Sequence, residues 1–162
     1  MSIAALIIGG FYMFAGLAIF HTAARDRLLD DAISKITLKP TDKAETAEQH
    51  IMLGLGTLVF AGGLALASLS ILAPLFFVAA LAYQAVWFWR MKKKGEQPQR
   101  KTLNAFWIYM AATAFTWLAA ASGIFVPWFG WTFLASLAAQ AGAISAITAL
   151  ALFWFVFRHK LG

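Results

Sequence analysis

Arg90-Met91-Lys92-Lys93-Lys94-Gly95-Glu96-Gln97-Pro98-Gln99-Arg100-Lys101 is a basic, turn-prone stretch with a long apolar run on either side. All thirteen Lys and Arg residues fall here, in the segment 25–43, or at Arg158 and Lys160, and none interrupts an apolar run. A chain built this way places its cations at the ends of membrane spans. Composition agrees: 62% of residues are hydrophobic, 12% are charged and the mean hydropathy is +0.75, more apolar surface than a soluble domain of 162 residues can bury. The expected fold is all-α, a single polytopic domain over residues 1–162 in which a bundle of five transmembrane helices carries an amphipathic cytoplasmic segment between the first two.

Working outward, the apolar runs set the spans. Each needs about 20 residues to cross a hydrocarbon core of about 30 Å. The expected spans are 2–22, 49–70, 74–91, 103–122 and 130–157. Ser68, Ser70 and Pro74 supply the turn between the second and third, and Gly123 to Trp128 the turn between the fourth and fifth. The first run has no preceding Lys or Arg and is followed by several, so it is expected to remain as a helix rather than act as a cleaved leader.

Between the first two spans, Leu28, Leu29, Ala32, Ile33 and Ile36 recur at helical spacing, opposite the i,i+4 pairs Arg27–Asp31 and Asp31–Lys35. An amphipathic helix is expected, continuing from the first span and lying against the membrane surface, ended by Pro40, with Asp42 and Glu45 capping the next helix.

Charge sets the orientation. Arg25 to Glu48 sums to −1, Arg90 to Lys101 to +5, and the tail adds +2. Five spans place all three segments on one face, which the excess of cations makes cytoplasmic, leaving the N-terminus outside and the C-terminus inside. With compact loops, a bacterial inner membrane is the expected location. The net charge of +6 is thereby explained without nucleic acid. Zero cysteines exclude disulfides, thiolate metal sites and thiol nucleophiles within this sequence.

Small residues mark expected helix contacts, because lipid offers no hydrophobic drive between spans and close approach needs small side chains. Gly9, Gly10 and Gly16 form one such set, and Gly54, Gly56, Gly62 and Gly63 another. Ala135, Ala139 and Ala143, beside Ala138, Gly142 and Ala146, form the longest stripe. The fifth helix is accordingly expected at the centre of packing, within the bundle or between protomers.

Chemistry is sparse. His21 and His50 close and open adjacent spans, and two imidazoles on neighbouring helices are what a six-coordinate haem needs, with Gly54 leaving room for a porphyrin face. They are the only candidate cofactor-binding residues; otherwise no cofactor is expected. His159 reads as tail. Asp26, Asp30, Asp31, Glu45, Glu48 and His50 lack di-metal spacing, so no metal site is assigned. No nucleophile elbow, phosphate loop or zincin pattern occurs. Gln84 and Gln140 are the deepest amides; they suit interhelical hydrogen bonds, or a path for a neutral solute. The leading expectation is therefore a non-catalytic membrane subunit, accessory to a larger inner-membrane complex or self-assembling, with the bilayer and other membrane subunits as partners. A haem- or pigment-binding electron carrier using His21 and His50 is the first rival, and a small channel or carrier for a neutral or lipid-like substrate the second.

Overall fold

The computed structural model describes residues 2–38, 43–95, 97–98, 100–125 and 133–158. Among these the regular elements are five helices: α1 (Ser2–Thr37), α2 (Lys43–Ala67), α3 (Ala73–Lys93), α4 (Arg100–Ala121) and α5 (Phe133–Arg158). The chain is an all-α bundle, and α1, α2, α4 and α5 are long and apolar enough to cross a membrane. At 21 residues α3 has the length as well, but Tyr83, Gln84, Trp87, Trp89 and Arg90 dilute its apolar character. Large apolar side chains on the outer faces, such as Ile3, Ile7, Phe14, Ile108 and Leu118, are more than half exposed, as lipid-facing residues of a bundle are.

The amphipathic segment continues from the first span, as expected. It is the second half of α1, which runs unbroken for 36 residues, about 54 Å at 1.5 Å per residue. Neither Gly nor Pro occurs between Gly16 and Pro40, so nothing interrupts the hydrogen-bond ladder. Beyond the apolar run the helix stays against α2, where the Gln49 amide donates to the Asp30 carboxylate. The caps expected at Pro40, Asp42 and Glu45 lie outside the described residues and side chains.

Helices α1 and α2 pair antiparallel through their backbones. A Cβ placed on Gly63 would lie 2.5 Å from Met13 N and 2.6 Å from Gly9 O, and one on Gly56 would lie 2.7 Å from Phe20 N. Gly9 and Gly16 meet the facing backbone of α2 in the same way, at Ala67 N and Phe60 N. Both glycine pairs are spaced by seven, and Ala5, Tyr12 and Ala23 extend the buried row on α1, so the seam follows a heptad. Gly10, grouped with these in the sequence, has nothing within 4 Å of its Cβ position.

Three helix ends share a device in which the residue after the cap turns left-handed. At α4 that residue is Gly123 (φ 72°), with Ile124 N–H donating to Ala119 O and Gly123 N–H to Ala120 O; at α3 it is Gly95 (φ 75°). At α2 it is Leu69 (φ 53°), with Ser70 N–H donating to Ala65 O and Leu69 N–H to Leu66 O. A leucine there costs about 1 kcal/mol in backbone strain, and Leu69 packs on the core in return. Pro74 then sits in the first turn of α3, where its missing N–H is tolerated.

α2, not α5, is the central helix. Val59, Phe60, Ala61, Ala65 and Leu66 are all buried, covering its circumference with neighbours. α5 attaches by one row, Ser136, Gln140, Ile144, Thr148 and Leu152, each at most 8% exposed. The small-residue stripe expected to carry the packing divides: Ala139 and Ala143 are half-buried, whereas Ala135, Ala138, Gly142 and Ala146 are exposed, and Gly142 has nothing within 4 Å of its Cβ position.

Candidate functional site: an aromatic crevice between four helices

Tyr12 on α1, Phe77 on α3 and Tyr109 on α4 meet edge to face and stacked, with ring centroids 5.1–5.2 Å apart. Each such pair adds about 0.5–1.5 kcal/mol beyond its buried area, which makes the cluster the joint that holds α4 to the α1–α3 group. A second contact, Phe88 to Phe106 at 5.3 Å, joins α3 to α4. Between these two aromatic contacts the helices part into a crevice of about 330 Å³, bordered also by Met52, Leu55 and Val59 of α2. That volume falls within the range of small-molecule sites.

The exposed lining is almost wholly apolar, although polar side chains stand among it. The Tyr109 hydroxyl and the Trp87 indole N–H are buried and have no hydrogen-bond partner among the described residues. Leaving a donor unpaired inside an apolar site costs about 1–3 kcal/mol. The Tyr12 hydroxyl has an acceptor, Ile108 O, at a long 3.5 Å. Gln84 lines the same crevice. Gln140, by contrast, is tied up: the Ser70 hydroxyl donates to its Oε1 at 2.5 Å, and its amide donates to the Ser136 hydroxyl at 3.1 Å. The two deep amides therefore separate into one that fastens α5 to the α2–α3 turn and one that faces a cavity.

The structure separates the histidines from that crevice. His50 is exposed on α2, with Nδ1 2.6 Å from the carbonyl of Thr46 one turn earlier. At 3.6 residues per turn His50 lies about 120° around α2 from Gly56, and His21 about 140° around α1 from Gly16. Both imidazoles thus project away from the α1–α2 seam, which is closed by backbone contact along its glycines. Gly54, expected to leave room for a porphyrin, meets the ring of Tyr83 instead. His159 lies outside the described residues, as do Trp128 and Trp131.

One ion pair joins α2 to the end of α3. Glu48 accepts from Lys94 at 3.0 Å, an exposed contact worth about 0–1 kcal/mol. Among the described residues no group of three His, Asp or Glu side chains is placed to hold a metal ion.

In class this is a membrane-type helical bundle with a lateral aromatic crevice. No family model matches the chain, and neither a curated protein nor a solved structure does.

Proposed function

We propose that this chain is a non-catalytic integral subunit of a bacterial inner membrane that works by assembly, with another membrane subunit or with copies of itself, through the open face of α5. The observation that carries this reading is the contrast between two sets of small residues. On α1 and α2 such a row is consumed in backbone contact, while on α5 Ala135, Ala138, Gly142 and Ala146 turn outward. A helix held by one row leaves the rest of its surface to lipid or to a partner helix, and small residues let a partner approach closely.

Gly142→Leu tests it. The isolated chain should melt at an unchanged temperature, because nothing lies within 4 Å of the Gly142 Cβ position, whereas the assembled species on a native gel should be lost. An assembly that survives the leucine would refute the reading.

The proposed orientation has the N-terminus outside, the C-terminus inside, and α3 crossing with the other four helices, so that the three cationic segments share the cytoplasmic face. A cysteine at Ser2 should then react with an impermeant reagent added to intact cells, while cysteines at Gln97 and Gly162 stay protected. Labelling at Gln97 from outside would invert the arrangement.

A further inference from the structure

Below the aromatic crevice, toward the basic end of α3, lies a second hollow of about 260 Å³ between α2 and α3, lined by Glu48, Trp87, Arg90, Lys93 and Lys94. Trp87 borders both. One indole therefore stands where an apolar cleft meets a cationic rim, with a buried N–H that has no partner among the described residues.

We propose that the two hollows form one site for an anionic phospholipid of the surrounding bilayer, with an acyl chain in the crevice and its phosphate at Arg90 and Lys93. This goes beyond the assembly reading and does not depend on it. Three features fit one molecule. The crevice walls suit a hydrocarbon chain, since Phe11, Met52, Leu55, Val59, Phe88 and Phe106 offer no polar atom and Gln84 and Thr102 are minor parts of the lining. The indole N–H of Trp87, the residue shared by the two hollows, has no partner among the described residues and matches what a glycerolipid carries and a hydrocarbon lacks, namely an ester carbonyl oxygen. Charge is complementary at the rim: three cations face one carboxylate, and that carboxylate engages Lys94. Lys93 sits 3.9 Å over the Trp89 ring, which holds its ammonium at the interface. Arg90 has no ion-pair partner among the described residues, and its guanidinium matches two phosphate oxygens at once.

The general attraction of a polybasic segment for anionic lipid would act equally on Arg100 and Lys101. The crevice site predicts a difference. Full-length protein is reconstituted with equal phosphatidylglycerol and phosphatidylcholine, extracted in mild detergent, and its retained lipid counted by native mass spectrometry. One phosphatidylglycerol per chain should survive, in preference to phosphatidylcholine. The double variant Arg90→Gln/Lys93→Gln should weaken retention by about 25-fold, taking about fivefold per cation near a membrane surface. Trp87→Phe, which keeps the ring and removes the N–H, should weaken it by several-fold with all charges present. Arg100→Gln/Lys101→Gln, an equal loss of charge outside the site, should leave it unchanged. Arg90, Lys93, Arg100 and Lys101 are all exposed, so neither double variant removes a buried side chain. The proposal is overturned by equal loss in the two double variants, by equal retention of the two lipids, or by no retained lipid in the wild-type protein.

Discussion

Gly63→Leu is expected to lower the melting temperature of the detergent-solubilised protein more than any other single change considered, and to leave much of it unfolded. A Cβ there would stand 2.5 Å from Met13 N, 2.6 Å from Gly9 O and 2.9 Å from Tyr12 C. These are backbone atoms of the facing helix, which cannot rotate aside as a side chain can. α1 and α2 would have to separate, and with them the contacts at Gly16 and Gly56 two turns away. Overpacking of a core costs about 1–3 kcal/mol where side chains can yield; here the cost should reach or exceed the top of that range. Gly10→Leu is the matched control, one helix across, with nothing within 4 Å. Equal melting of Gly63→Leu and wild type, or equal damage from Gly10→Leu, would refute the backbone seam.

The contrast between Gly10 and Gly63 marks how far the sequence alone could be read. Five apolar runs, each with cations at one end, became five helices, because spans must satisfy their own backbone and can do so only as helices or closed barrels. The turn at Ser68 to Pro74 was legible from its breakers. The continuity of α1 was legible as well, as an absence of breakers through Leu38. Which glycines are used was not legible: a small residue permits close approach but does not compel it. On α5 the choice between faces was decided by polarity. Ser136 and Gln140 carry groups that lipid cannot satisfy, so their row turned inward, while alanines and Gly142 face the outside at no comparable penalty. The crevice was not legible for another reason. Tyr12 and Tyr109 are far apart in the chain, and only the register of three helices brings their rings to 5.1 Å. The place of Trp87 near the basic end of its span gives no hint that its N–H is enclosed. Of the two histidines, position along the chain was legible but azimuth about the helix axis was not used, and azimuth is what turns them from the seam.

The polar row of α5 carries the second large effect. Gln140 is 1% exposed, accepts from Ser70 Oγ at 2.5 Å and donates to Ser136 Oγ at 3.1 Å, while Ser70 Oγ also accepts the Leu72 N–H at 3.2 Å. Gln140→Ala removes both the bonds and the volume, and should destabilise by about 2–4 kcal/mol, the range for truncating a large buried side chain. Gln140→Leu restores most of the volume, so its loss isolates the hydrogen bonds, which between membrane helices average about 0.6 kcal/mol and reach about 1.7. Two turns further along the same face, Thr148 presents a buried hydroxyl with no partner among the described residues. Thr148→Val deletes that hydroxyl at nearly constant shape and should leave stability unchanged or raise it. The expected order of melting temperatures is Thr148→Val at or above wild type, then Gln140→Leu, then Gln140→Ala. A Gln140→Leu protein that melts at or above wild type would mean that α5 is held by packing alone, and that the Ser70–Gln140–Ser136 chain merely avoids a penalty that leucine never incurs.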